Sequence, residues 1–371
     1  MNISLVTPAP PGSRKGNRVT ALRWAGLLRQ LGHRVVVRQE YRGERSDLLI
    51  ALHARRSFAS VDAFHRQNSG RPIVLALTGT DLYEAIKTDP VAREALALAS
   101  RLVVLQPLGV EELPANLRDR TRVIYQSCDV PPNSNRRAKM KHRGAGIATS
   151  RGPRSSNLPA QLFFDVCVLG HLRPVKDPFR TALAARRLPA SSRIRVLHAG
   201  AALTRTMDEQ AQAEQEINPR YHWLGELPRW KALRLLSRSR LLVLTSILEG
   251  GANTISEAIA LDVPVLASRI PGSVGLLGVD YPGYFPVGDT AALAILLTRA
   301  ETDARFYQQL RAWCRRLRPL IRPARERESW RRLLGELRPA KLPKHSASKI
   351  GGLEYPRSGV LRKRASASIA E

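Results

Sequence analysis

The chain has 371 residues, of which 43% are hydrophobic, and a formal net charge of +29. This length suggests about two domains with ample core, and no apolar run approaches the roughly 20 residues needed to cross a bilayer. The three cysteines, Cys128, Cys167 and Cys314, form neither a CxxC pair nor a disulfide framework. We therefore expect a protein of the reducing cytoplasm.

Part of the charge is concentrated in two segments. Residues 129–162 carry seven Lys/Arg and one Asp, and residues 338–371 carry eight Lys/Arg and two Glu. Both segments are rich in Ser, Gly, Pro and basic residues and lack apolar periodicity, which predicts a disordered linker or insertion and a disordered tail. The other charges are spread over the folded body, mostly as arginine, so we do not expect nucleic acid as the partner.

Strands alternate with helices through residues 1–128. Apolar strands are predicted at residues 2–7, 34–37, 48–52, 73–77, 102–105 and 122–125. The main helices are predicted at residues 17–31, 55–67 and 91–99, with Asn17 as the N-cap of the first. This alternation indicates a parallel, doubly wound α/β sheet.

The alternation resumes after the basic insertion. Strands are predicted at residues 163–169, 194–199, 221–224, 240–244 and 263–267. Helices are predicted after Pro178 and at residues 205–217, 228–236, 252–261, 290–300, 304–316 and 323–337. Residues 163–322 therefore form a second α/β domain, and a last helix follows at residues 323–337.

The most informative stretch is residues 244–268. A strand leads into a loop with Glu249, Gly250 and Gly251, and the following helix carries Glu257. Glycines allow a ligand to approach the backbone, and a helix N-terminus offers free N–H groups to an anion. Such units bind phosphates in open α/β sheets, although a glutamate on such a helix is more often a solvated surface residue.

Basic and polar residues follow other predicted strands. Arg173 and Lys176, in the segment GHLRPVKDP, would lie together at a strand end, where two cations can neutralise a pyrophosphate or remain solvated. Gly16 and Asn17 lie at a helix N-terminus, which is a ready anion site. His53 follows the third strand, where a histidine can bond a phosphate or be purely structural.

The segment from Glu249 to Glu257, followed by the strand PVLAS, resembles the E-x7-E signature of the retaining GT-B glycosyltransferases. That resemblance implies two Rossmann-like domains that face each other across a cleft, with the last helix crossing back onto the first domain. It implies that Glu249 contacts the sugar of a nucleotide-sugar donor and that Glu257 holds the ribose. Residues 170–178 are similar to the family's G-R-L-x-x-x-K-G-x-D element, so Arg173 and Lys176 would bind the diphosphate, although His171 replaces an arginine there.

Longer segments within residues 1–127 and 163–337, such as VLALTGTDLY and FDVCVLGHLRPVKDPFR, resemble the selenosugar synthases of selenoneine biosynthesis. This resemblance implies transfer of N-acetylglucosamine or glucose from a UDP donor to selenophosphate, with loss of phosphate. A glycosyltransferase with another acceptor, and a UDP-sugar epimerase or hydrolase, remain alternatives.

The resemblance assigns each group of residues a role. The expected catalytic residues are Glu249, Arg173, Lys176 and His53. The expected donor contacts are Gly16, Asn17, Arg173, Lys176, Glu249, Gly250, Gly251, Ala252, Asn253 and Glu257. The expected acceptor contacts are Arg14, Lys15, Arg18, Arg55, Arg56, Thr78 and Asp81, although Asp81 could equally cap the next helix. The sequence has no D-x-D metal motif at a strand end, no GxGxxG and no P-loop, so no metal or cofactor is expected.

Overall fold

The structure, a computed structural model, describes residues 1–129 and 163–337. The predictions of a disordered insertion at residues 129–162 and a disordered tail at residues 338–371 therefore lie outside the described residues, apart from Asp129. No helix within the described ranges is long and apolar enough to cross a membrane.

The first domain is a parallel sheet covered by helices. Within the described residues its strands are β1 (Asn2–Val6), β2 (Arg34–Arg38), β3 (Leu48–Leu52), β4 (Ile73–Ala76), β5 (Arg101–Val104) and β6 (Thr121–Val123), in the order β2-β1-β3-β4-β5-β6. Its helices are α1 (Gly16–Gln30), α2 (Phe58–Gln67), α3 (Ile86–Thr88), α4 (Pro90–Leu98), α5 (Leu108–Glu111) and α6 (Ala115–Arg118). All strand pairs are parallel, as the alternation of strands and helices predicts.

The second domain repeats this architecture. Its described strands are β7 (Phe164–Leu169), β8 (Ile194–Ala199), β9 (Tyr221–Trp223), β10 (Leu241–Leu244), β11 (Val265–Ser268) and β12 (Tyr284–Phe285), in the order β12-β11-β10-β7-β8-β9. Its helices are α7 (Arg180–Ala185), α8 (Arg205–Ile217), α9 (Arg229–Arg238), α10 (Asn253–Ala260), α11 (Pro271–Leu277), α12 (Thr290–Thr302) and α13 (Ala304–Leu317). Central strands such as β3 and β10 are buried along their whole length because helices cover both faces of each sheet.

One local prediction is wrong, and the structure contains two further helical segments. Asn17 is not the N-cap of α1, because the helix already begins at Gly16 and Lys15 holds the extended cap position. A π-helical turn, Asp81–Ala85, follows β4 and runs on into α3, so Asp81 is the first residue of this turn and Thr80 is its N-cap. Helix α11 begins at Pro271, since proline fits the first helical position, and Pro282 and Gly283 form a turn before β12.

The last helix, α14 (Pro323–Glu336), packs onto the first domain. Its Trp330 lies edge-to-face against Trp24 of α1, with ring centroids 4.8 Å apart, and both rings are fully buried. Leu333 and Leu334 belong to the same hydrophobic cluster. A helix that follows the second domain in sequence thus completes the core of the first.

Each sheet has a topological switch point, which is where open α/β sheets bind ligands. In the first sheet the chain order reverses between β1 and β3, and in the second it reverses between β7 and β10. The segments that leave these four strands contain the Pro8–Lys15 loop, His53, Arg173 with Lys176, and Glu249. Residues from all four segments line one cleft between the two sheets.

Candidate active site

The cleft has a volume of about 910 Å³ and is lined by residues of both domains. That volume lies within the range of about 300–1,000 Å³ typical of small-molecule sites. Most of the predicted site residues line it, namely Arg14, Lys15, Gly16, Asn17, His53, Arg56, Thr78, Arg173, Lys176, Glu249, Gly251, Ala252, Asn253 and Glu257. The strand-end positions read from the sequence therefore converge on one site.

Glu249 is held firmly in the loop between β10 and α10. Its carboxylate forms an ion pair with Lys176, and Ser246 Oγ donates a hydrogen bond to its Oε1 at 2.8 Å. The side chain is only 11% exposed. An ionised carboxylate with two fixed partners keeps a defined orientation, and its remaining lone pairs can accept hydrogen bonds from hydroxyl groups.

A short 3-10 helix, Pro174–Lys176, follows β7; Arg173 is its N-cap and Lys176 is its last residue. Thr245 Oγ1 donates to the Lys176 carbonyl oxygen at 2.9 Å, which ties this segment to the end of β10. Arg173 Nε is buried and has no hydrogen-bond partner among the described residues. A buried guanidinium donor that lacks a partner is costly unless a ligand satisfies it, so Arg173 is suited to bind an anion.

Glu257 lies in the first turns of α10, 7% exposed, and forms an ion pair with Arg229 of α9. Burial raises the pKa of the Glu257 carboxyl above its usual value, and the positive charges of Arg229 and Arg23 oppose that rise. Arg229 was not among the residues predicted for the site. The pair joins two helices through residues that lie 28 positions apart, and no local pattern marks such a contact.

His53 stands in a strained backbone conformation, with φ +76°. Its Nδ1 accepts from the Arg56 backbone N–H at 3.3 Å, and its Nε2 lies 3.3 Å from Thr80 Oγ1. Burial lowers the pKa of His53 below its ordinary value, with Asp81 opposing and Arg56 and Arg55 adding to the decrease. A lowered pKa favours the neutral ring, and the Arg56 N–H at Nδ1 favours the tautomer that carries its proton on Nε2.

Three predicted acceptor residues do not line the cleft. Arg55 forms an ion pair with Asp89 instead. Asp81 is fully buried, and its carboxylate accepts backbone N–H groups of Ala54, Thr78 and Gly79 at 2.8–3.0 Å, so its oxygens stabilise the ends of β3 and β4. Arg18 lies in the first turn of α1, and its Nε and Nη1 are buried.

Gly250, a predicted donor contact, also lies outside the cleft lining. A Cβ at Gly250 would lie 2.5 Å from the carbonyl carbon of Thr78 in the first domain. Gly251 is similarly close to Leu105, where a Cβ would meet the Leu105 Cβ at 2.6 Å. These glycines therefore allow the two domains to approach each other, whereas the sequence had suggested only the approach of a ligand.

Replacing Gly250 with alanine should lower stability and turnover, because backbone atoms of the other domain would have to move. Overpacking of this kind costs about 1–3 kcal/mol, measurable by denaturant unfolding. Gly335→Ala on α14 is the matched control, because nothing lies within 4 Å of a Cβ there. It should be neutral or slightly stabilising. Equal stability of Gly250→Ala and the parent would contradict the close domain contact.

Several cleft residues carried no signal in the sequence. Glu226 forms an ion pair with Arg14 across the cleft at 3.0 Å, and its other oxygen is 4.0 Å from His171 Nε2. Arg23 of α1 also lines the cleft and contacts Asn253 of the second domain. These contacts depend on how the domains face each other. The one hint in the sequence is that each charged residue lies near a strand end or a helix start.

The cleft thus combines the carboxylates of Glu226, Glu249 and Glu257 on the second domain with cations from both domains. Carboxylates suit hydroxyl groups, and clustered Arg and Lys suit phosphate oxygens. Within residues 1–129 and 163–337, no group of three or more His, Cys, Asp and Glu residues could hold a metal ion. The lining fits a ligand that carries both hydroxyl groups and phosphates.

The family model described as "Glycosyl transferases group 1" matches residues 155–315, which include both glutamates. "Glycosyltransferase 1 domain-containing protein 1" of Xenopus tropicalis is 25% identical over 276 residues, which cover 71% of this chain and 77% of that protein. Residues 155–315 are accordingly similar to the group 1 glycosyl transferases.

Two solved structures show the same architecture. The structure of HepE of Anabaena, in complex with UDP and glucose, is 17% identical to this chain and matches it with a TM-score of 0.65. The match covers 91% of this chain and 100% of the HepE chain. Sucrose-phosphate synthase of Thermosynechococcus elongatus is also 17% identical and matches with a TM-score of 0.66. This match covers 91% of this chain and 98% of the synthase chain. The predicted fold class, GT-B with two Rossmann-like domains, is confirmed.

Proposed function

We propose that this protein is a glycosyltransferase that moves N-acetylglucosamine from a UDP donor to selenophosphate. The match of residues 155–315 to the group 1 glycosyl transferases supports the general activity in this proposal, that of a glycosyltransferase. The donor sugar and the selenium acceptor rest on the resemblance to the selenosugar synthases. The observation that carries the proposal is the buried, unpartnered Arg173 Nε beside the ion pair of Lys176 and Glu249.

The donor occupies the second domain in this proposal. Glu257, nearly buried on α10, accepts hydrogen bonds from the ribose hydroxyls, and Glu249 accepts hydrogen bonds from hydroxyl groups of the transferred sugar. Arg173 and Lys176 bind the diphosphate between them. HepE, which has the same architecture, was solved in complex with UDP and glucose, and this supports a UDP-sugar as the donor.

The acceptor approaches from the first domain. Lys15, Arg56 and Arg14 line that side of the cleft and attract an anion, and the neutral His53 offers its Nε2–H to an acceptor oxygen if it turns from Thr80. Selenium is a soft, strong nucleophile, so no general base is required. Two of the predicted basic acceptor residues, Arg18 and Arg55, do not line this side of the cleft.

The transfer forms one bond at C1 of the sugar and breaks another. A selenium lone pair of selenophosphate forms the bond to C1, and the C1–O bond breaks with its electrons passing to UDP. Arg173 and Lys176 stabilise the charge that develops on the departing diphosphate, which is the main catalytic contribution. The two domains hold donor and acceptor in position for the transfer. Water then cleaves the selenium–phosphorus bond and releases phosphate.

Product analysis tests the proposal. The protein is incubated with UDP-N-acetylglucosamine or UDP-glucose, each with selenophosphate, with inorganic phosphate or without acceptor, and products are identified by mass spectrometry. We expect UDP and a selenium-containing sugar only when selenophosphate is present. Sugar release or isomerisation without acceptor would instead identify a hydrolase or an epimerase. No turnover of either donor with selenophosphate would refute the selenosugar assignment.

A further inference from the structure

Arg23, on α1 of the first domain, joins three parts of the molecule. Its Nε donates to Glu326 Oε2 of α14 at 3.0 Å, and its Nη1 donates to Asn253 Oδ1 of the second domain at 2.9 Å. The side chain is 14% exposed and lines the cleft. Both contacts use the planar guanidinium, whose donors point in fixed directions.

Glu326 is a rigid anchor for this arginine. It is 1% exposed, and its carboxylate also accepts Trp24 Nε1 at 2.7 Å, the Ser127 backbone N–H at 2.9 Å and the Ser127 hydroxyl. A buried carboxylate is stable only when it is fully paired in this way. The position of Arg23 is therefore set by the core that α14 completes.

Asn253, which accepts the hydrogen bond from Arg23 Nη1, is the first residue of α10. Its amide nitrogen lies 3.4 Å from Thr20 Oγ1, so both the oxygen and the nitrogen of this side chain are held by α1. The glutamates Glu249 and Glu257 lie four residues before and after it. Any shift of Asn253 moves the start of the helix between them.

We propose that Arg23 is a positioning residue of the donor site: through Asn253 it fixes the start of α10 to the first domain. The inference rests on the proposed function, because it takes α10 as the nucleotide-binding helix. Donor affinity should then depend on an arginine of the opposite domain. A lysine at this position keeps the charge, but its single ammonium group cannot reproduce both fixed contacts.

The test is a double-mutant cycle on UDP affinity, measured by calorimetry on the full chain. Arg23→Lys and Asn253→Ala should each weaken UDP binding about tenfold, as expected for loss of one charge-assisted hydrogen bond. The double variant should bind UDP no more weakly than the weaker single variant, because both substitutions break the same link. Arg327→Lys is the matched control: Arg327 joins α14 to Gln30 of α1 at 3.0 Å outside the cleft, so its variant should bind UDP like the parent.

Different outcomes would overturn the positioning role and the proposed function. Parental UDP affinity in Arg23→Lys, or single effects that multiply in the double variant, would overturn the positioning role while leaving a UDP-dependent enzyme intact. A parent that binds no UDP would refute the proposed donor itself. Asn253→Ala leaves the pair of Arg23 and Glu326 intact, so it stays informative if Arg23→Lys fails to fold. Parental affinity in Asn253→Ala would equally overturn the inference.

Discussion

Replacing Arg173 with alanine should raise the barrier to sugar transfer by about 2–4 kcal/mol, the effect of losing one electrostatic donor at developing charge. The buried Nε has no partner among the described residues, so its proposed role is to meet the departing diphosphate. The loss should appear in kcat with every UDP-sugar that the enzyme uses. Turnover at saturating donor is the measurement.

Lys176→Ala should reduce kcat by a similar amount. It should also affect Glu249, because Lys176 forms an ion pair with that carboxylate. Without Lys176, the Glu249 carboxylate loses its ion pair and keeps the hydrogen bond from Ser246 Oγ. Arg187→Ala, on the exposed surface of the second domain and outside the cleft lining, serves as the control and should match the parent. Activities within a few-fold of the parent for both Arg173→Ala and Lys176→Ala would make these cations ordinary surface residues.

The second large effect concerns the two glutamates: replacing Glu257 should weaken UDP binding, whereas replacing Glu249 should slow turnover. Glu257→Gln should weaken UDP binding about 10- to 100-fold, because a ribose contact exists in the ground state and its loss raises KM. Glu249→Gln should leave UDP binding near normal but reduce kcat about 100-fold, because its proposed contact is to the reacting sugar. Calorimetry with UDP and turnover of the UDP-sugar measure the two effects independently.

Glutamine is the chosen replacement because it keeps the side-chain volume in a nearly buried setting while removing the charge. Thermal unfolding in the absence of ligand controls for the loss of the pairs with Arg229 and Lys176. If Glu249→Gln abolishes UDP binding and Glu257→Gln does not, the two assignments must be exchanged. If neither quantity changes in either variant, both glutamates are structural.

Elements with a local signal were predictable from the sequence. The strands β3 and β8 and the helix α8 begin and end at the predicted residues, because apolar runs and periodicity are properties of neighbouring residues. The GT-B fold followed from the alternation of strands and helices together with the resemblance carried by Glu249 and Glu257. The predicted start of α1 was off by one residue, and Arg18 does not line the cleft although it lies in both the predicted and the observed helix.

By itself, the sequence determined which loops meet at the cleft, because parallel strands place all their carboxyl ends at one edge of each sheet. Only the tertiary structure decided the partners of the side chains within it. Arg229 beside Glu257, Arg23 between Glu326 and Asn253, and Gly250 against Thr78 are contacts between distant segments. Such contacts are set by how helices and domains pack, and packing leaves no periodic pattern in the local sequence.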